Sequence, residues 1–455
     1  MIQNNFELQD HGPKRHVSTP YLVMVAVAMV VGAGIFKSPA YVAGGTGSLE
    51  WMLAAWIFGG VLTLIAALCY AEMATAFPNA GGDYHFLKLA YGRQVAFLFA
   101  WARFAVINTG SMAMLGFVLG DYANDAFSLG PNGPAIYALS SILVLTVFNL
   151  RSLYSGASAD YSLTGLEVMG LLIMFAAGVW LTIQGAPATF PDAPGIAAPP
   201  DFGLAMVFVL LAFGGWSEIA TMSSEVKDRQ RGMLKALVVS VAVITLLYLM
   251  VNWAFWRGLG IQGLANSSAP AADLMRAAFG ENTAFLIAVA IAIATITSIN
   301  ATIVVGARTT YAATHDFPAL RAIGQWDDTR GIPTRAILFQ SAIAVLLVGM
   351  GAASRDGFST LVDYSAPVFW LFMCLSAVAV IVLRVKYPMV ERPYRAPLFP
   401  LMPLLFLASA LFVLWSSTNY VLFQVEYHRI GVFAGAAVLA AGVAGAAFLK
   451  PGPQG

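Results

Sequence analysis

Runs of about twenty apolar residues recur twelve times along this chain, and no other feature restricts its fold as strongly. A helix needs about 20 such residues to cross the hydrocarbon core of a bilayer. The runs lie at 18–44, 50–77, 94–120, 134–150, 160–184, 202–225, 233–256, 282–314, 334–351, 359–384, 398–418 and 428–449. Of the 455 residues 59% are hydrophobic and 10% charged, whereas a soluble domain carries about 25% charged residues. The runs do not alternate polar and apolar positions as barrel strands do. Lipid cannot satisfy exposed backbone polar groups, so the reading is an all-α membrane protein of twelve transmembrane helices.

Lysine and arginine set the expected orientation. Eighteen of the 24 lie in the segments on the N-terminal side of the membrane, and only Arg257, Arg276, Arg355 and Arg429 lie opposite. Lys37 and Arg103 fall inside runs. Both termini are therefore expected in the cytoplasm, with 1–17 and 450–455 as short tails. The polar N-terminus shows no signal-peptide pattern. A net charge of +1 argues against a nucleic-acid partner, and Cys69 and Cys374 both lie within apolar runs, which leaves no disulfide framework and no metal-ligand spacing. No cofactor is expected.

Two runs are broken. The first contains MVVGAGIFKSP (29–39), with Gly32 and Gly34 before a lysine and a proline. The sixth contains FVLLAFGGWSEIATMSSE (208–225), with Gly214 and Gly215 at its centre. Paired interruptions five spans apart point to an inverted-repeat transporter. The repeats would be 18–184 and 202–384, with 398–449 outside them. Unwound backbone at membrane depth is tolerable only around a polar cavity. There the N–H groups of a half-helix N-terminus favour a carboxylate, and exposed carbonyls favour an ammonium group. Together they suit an α-amino acid. The competing reading of either break alone is a glycine kink or a close helix contact.

Five segments then appear in order: GAGIFKSP (32–39), CYAEMATAFPNAGGDYHFL (69–87), AFGGWSEIATMSSEVKDRQRGMLKAL (212–237), SINATIVVGARTTYAATHDFP (298–318) and LRVKYPMVERPYRAPLFPLMP (383–403). In these the chain resembles the amino acid–polyamine–organocation superfamily, and within it the L-type amino acid transporter branch and its bacterial relatives. The resemblance implies a LeuT-type 5+5 inverted repeat plus two C-terminal helices, with alternating access. It places Ala33, Gly34 and Ile35 in the carboxylate-binding turn, next to Gly32. It places Phe213, Gly214 and Gly215 in the turn that receives the amino group, with Phe213 as an occluding aromatic. Trp216 is read either as packing or as a side-chain contact. A small apolar pocket without an acidic residue in either turn suits a neutral substrate over a cationic one or an amine.

Departures from the family pattern carry further expectations. The loop from Asp121 to Pro134 lacks the cysteine that would bond a heavy chain. Glu167 in the fifth run is an ionisable group at membrane depth, a functional site by default. It has three readings: a proton-coupling site, a sodium ligand beside Thr295, Thr297 and Ser298, or a structural partner of Arg103. Lys37 either snorkels to the outer vestibule or attracts an anionic substrate, which keeps acidic amino acids open. Glu72, Glu225 and Arg308 are candidates for a cytoplasmic gate, the two carboxylates pairing with arginines such as Arg384, Arg392 and Arg395.

The resulting expectation is a secondary active transporter of the inner membrane working by proton symport or exchange, with no phosphate-binding loop for ATP. An enzyme would need a metal cluster or an activated nucleophile, and the five histidines lie at or beyond the membrane ends without HExxH spacing. An amino acid sensor of the same fold is the remaining alternative.

Overall fold

The structure is a computed structural model describing residues 18–79, 81–151, 159–189, 200–223, 229–317, 323–327, 332–354, 356–423 and 429–448. Sixteen α-helices occur among them: α1 Thr19–Val30, α2 Ser38–Thr46, α3 Leu49–Ala76, α4 Asp83–Tyr91, α5 Arg93–Ala102, α6 Thr109–Ala126, α7 Gly133–Leu150 and α8 Ala159–Ile183 in the first part. The second part holds α9 Phe202–Ala212, α10 Arg229–Ala265, α11 Pro270–Phe279, α12 Glu281–Asp316, α13 Thr334–Ala352, α14 Gly357–Lys386, α15 Leu401–Phe423 and α16 Arg429–Phe448. Among the described residues there is no strand, only one isolated bridge between Asp327 and Ile332.

Every expected run contains helix. Among the described residues nine helical spans are long and apolar enough to cross a membrane, and the apolar stretches Thr19–Val30, Glu167–Ile183 and Ile430–Ala446 are shorter. The first is short because its run is interrupted. Two helices lie outside the runs, α4 and α11, each too short and too polar on one face to read as a span. The seventh run grows into α10, which changes direction at Gly260 (φ 72°, ψ 169°). Between α5 and α6 the chain continues as a π-helical turn, Arg103–Asn108, a feature that marks functional sites in many helices.

Local chemistry sets several starts. Proline sits in the first turn of α1, α2, α7 and α11, where its missing N–H costs nothing. Ser48, Asp201 and Asp356 cap α3, α9 and α14 by accepting the N–H groups of Trp51, Leu204 and Ser359. Small residues let the helices close up, as expected where lipid removes the hydrophobic drive. A Cβ on Gly59 of α3 would fall 2.3 Å from Val209 of α9, and one on Gly60 would fall 2.5 Å from Thr245 of α10. Around this contact α1 packs on α10, α2 on α9, and α3 on both α9 and α10. The two interrupted runs are thereby neighbours in the middle of the molecule.

Candidate functional site: two helix breaks that meet

The first run unwinds after Val30. Gly32 is extended (φ −120°, ψ −172°), and a four-residue 3-10 turn, Ala33–Phe36, precedes α2. The N–H groups of Ala33 and Gly34 enter no backbone bond across the break among the described residues, and that of Ile35 reaches the Gly32 carbonyl only at 3.4 Å. These amides open a half-helix, where an anion is favoured. A Cβ on Gly32 or Gly34 would meet nothing within 4 Å. Neither packing nor strain demands glycine there. The glycines keep space open beside free amides.

The second run unwinds after Ala212. Phe213 and Gly214 turn the chain, Gly215 takes φ 102°, and a 3-10 helix, Trp216–Met222, follows. The carbonyls of Phe213 and Gly214 accept no backbone hydrogen bond among the described residues. Gly215 is demanded twice over, by its positive φ and by its contact: a Cβ there would lie 2.2 Å from the Met29 carbonyl oxygen. The two breaks therefore touch.

One hydroxyl joins them. Tyr248 Oη of α10 lies 3.1 Å from the Val30 carbonyl and 2.9 Å from that of Ala212, the last residues of α1 and α9. Its ring is wholly buried against Trp56 and Phe213. A tyrosine inside an apolar run has no local signature, and its hydroxyl at two helix ends is visible only in three dimensions. The predicted residues Gly32, Ala33, Gly34, Ile35, Phe213, Gly214, Gly215 and Trp216 are thus brought to one place, with differing orientations. Phe213 supplies backbone to the turn, while its ring faces Trp56 and Tyr248. Trp216 packs edge-on against Tyr70 at 4.8 Å. Ile35 is fully buried. A small apolar pocket bordered by Thr63, Gly214, Gly215, Ser217 and Trp370 lies along the second break only. It does not reach Gly32 or Gly34.

The charged candidates separate. Arg103 is not the partner of Glu167: its Nη2 donates to Glu218 Oε1 at 2.7 Å. Both charges lie in the first half of the chain, yet Arg103, at the start of the π-helical turn, meets the second break instead. Glu167 is buried in α8 and has no cationic partner among the described residues. Thr295, Thr297 and Ser298 donate to carbonyls of their own helix, at Ile291 and Ala294, and no hydrogen bond joins them to Glu167 among the described residues. Lys37 neither snorkels nor stands open to an anion. It is 5% exposed, 2.7 Å from Asp121 Oδ2, and donates to the Ser268 carbonyl at 2.9 Å.

At the expected cytoplasmic face Glu72 is buried and accepts Arg384 through both oxygens, at 2.6 and 2.5 Å. Arg392 stands 3.4 Å away, and the Ala396 N–H donates to the same carboxylate at 2.7 Å. A charged pair so satisfied ties α3 to the end of α14. Arg308 is exposed and enters no ion pair among the described residues, and Glu225 lies outside the described residues. Asp83, at the start of α4 beside Tyr70 and Arg103, was not singled out from the sequence. Burial pushes its carboxyl up to about 6, with the Tyr70 hydroxyl opposing. The two cysteines are buried and free.

A family model described as amino acid permease matches residues 17–434. The serine/threonine exchanger SteT of Bacillus subtilis (strain 168) is 25% identical over 415 residues, 90% of this chain and 92% of that protein. The cystine/glutamate transporter of Homo sapiens is 27% identical over 409 residues, 88% of this chain and 79% of that protein. The large neutral amino acids transporter small subunit 2 of Rattus norvegicus is 28% identical over 414 residues, 86% of this chain and 74% of that protein.

Proposed function

The chain belongs to the amino acid permease family, and from that premise we propose that it carries a neutral amino acid across the inner membrane by alternating access. It is an integral membrane protein and a permease, not an enzyme. The proposed frame is the inverted pair 18–184 and 202–384, with 398–449 outside it and both termini in the cytoplasm.

The observation that carries the reading is the meeting of the two breaks. Free amides at Ala33 and Gly34 suit a carboxylate, and the free carbonyls of Phe213 and Gly214 suit an ammonium group. The relatives' names span hydroxylated, acidic and large neutral amino acids, so the preference for a neutral cargo rests on this chain's own charges. Lys37 is occupied by Asp121 and Arg103 by Glu218. A net charge on the substrate side chain then finds no uncommitted counter-charge among these groups.

Coupling is proposed at Glu167. A buried carboxylate without a described cation is costly as the anion, and its helix α8 packs on α10, which carries Tyr248. Proton uptake at Glu167 therefore has a physical route to the substrate turns. Glu167→Gln should abolish accumulation driven by a pH gradient in proteoliposomes while leaving counterflow intact. Normal pH-driven accumulation in the variant would remove Glu167 from the mechanism. Obligatory exchange, the activity in the name of the serine/threonine exchanger SteT, predicts no net uptake into empty vesicles in any variant.

A further inference from the structure

Arg103 and Asp121 lie on one continuous span, Arg93–Ala126, about 27 Å apart along its axis at 1.5 Å per residue. That separation is close to the thickness of a bilayer core, about 30 Å. Their partners sit on the two broken helices. Lys37 is the third residue after Gly34, and Glu218 is the third after Gly215. Each stands on the half-helix that leaves the break, and the two half-helices leave toward opposite faces. α2 ends three residues before α3 begins, and the second break passes from Gly59 of α3 at Val209 and Phe213 to Tyr70, nearer the end of α3, at Trp216.

The two contacts have opposite polarity and equal length. Lys37 meets Asp121 at 2.7 Å, and Arg103 meets Glu218 at 2.7 Å. The first is reinforced. Tyr122 donates to the Phe36 carbonyl at 2.7 Å and accepts the Ala271 N–H at 3.2 Å, so α6 holds the first half-helix beside the lysine as well. The second is looser: Glu218 is 33% exposed at its side chain, and Arg103 Nε is buried without a hydrogen-bond partner among the described residues.

We propose that these two ion pairs are opposed latches of the transport cycle, each fastening one half-helix to the same span. The substrate breaks open toward a face only when the pair on that face separates. The inference rests on the reading of the breaks as the substrate site, and it assigns Lys37, Asp121, Arg103 and Glu218 as positioning residues that do not touch the cargo. A buried pair that loses one member leaves an uncompensated charge, which draws water and separates the helices. The outer pair, drier and reinforced, is the tighter of the two.

Cysteine labelling tests this on full-length protein in which Cys69 and Cys374 are replaced by alanine. Ser38 in α2 is fully buried and Ala220 in the second half-helix is 4% exposed, so Ser38→Cys and Ala220→Cys report the two sides. Lys37→Met or Asp121→Asn should speed maleimide labelling of Ser38→Cys about tenfold, within the range of conformational couplings, without speeding Ala220→Cys. Arg103→Met or Glu218→Gln should do the reverse. The exchanged pairs Lys37→Asp with Asp121→Lys, and Arg103→Glu with Glu218→Arg, should return both rates to their starting values. Labelling that rises at both reporters in every variant, or at neither, overturns the proposal, as does an exchanged pair that folds but fails to restore. Substrate binding followed separately by thermal shift keeps the readings apart, since its absence in the parent protein removes the site reading and leaves the labelling asymmetry to be judged alone.

Discussion

A Cβ added to Gly32 or Gly34 would meet no atom within 4 Å, whereas one added to Gly215 would lie 2.2 Å from the Met29 carbonyl oxygen. Both breaks are glycine-rich and look alike as sequence, yet glycine serves a different end in each. At the first break it keeps a volume empty beside two free amides. At the second it lets two backbones touch and supplies φ 102°. One break leaves open space beside its backbone, and the other fixes how closely the two helices approach.

Alanine substitution should expose this difference. Gly215→Ala combines a left-handed backbone, costing about 1–2 kcal/mol, with a backbone clash of about 1–3 kcal/mol. It should lower the melting temperature sharply or prevent recovery of monodisperse protein. Normal stability in that variant would show that the breaks do not touch as described. Tyr248→Phe attacks the link between them. Losing a hydroxyl that serves two buried carbonyls should cost about 1–3 kcal/mol, read as an earlier thermal transition with transport impaired more than folding. Gly34→Ala should leave stability within about 1 kcal/mol of the parent, because the methyl enters empty space.

The difference between the breaks also marks how far the residues alone could be read. Glycines within apolar runs announce an interruption, because lipid gives unwound backbone no partners, and run length announces the helices. Glu72 and Arg384 were foreseeable as charges at span ends facing one loop region. Nothing local announces Tyr248, whose partners lie 218 and 36 residues away. Pairing with Arg103 is one of three readings that the sequence leaves open for Glu167, because both are membrane-embedded charges of the first half; Arg103 instead meets Glu218, 115 residues away. Helices α4 and α11 escaped because short amphipathic segments carry no span signal.

The smallest effect expected concerns pH. Asp83, near the second break through Arg103 and Glu218, has its carboxyl raised by burial from 3.8 to about 6. The folded protein then binds more protons than the unfolded chain within that window, so stability falls as pH climbs through it. The melting temperature should decline by a few degrees between those two values, and Asp83→Asn should flatten the decline. A melting temperature that rises over the same window in the parent would place Asp83 in a different environment.

The most direct test of the paired-break site is amino acid binding by purified parent protein beside Gly34→Ala. Thermal shift against the set of proteinogenic amino acids should find stabilisation of the parent by at least one neutral member. The same ligand should leave Gly34→Ala unshifted, although that variant melts near the parent temperature without ligand. Stabilisation of Gly34→Ala equal to that of the parent would contradict the account, because the added methyl would then occupy space the substrate does not use.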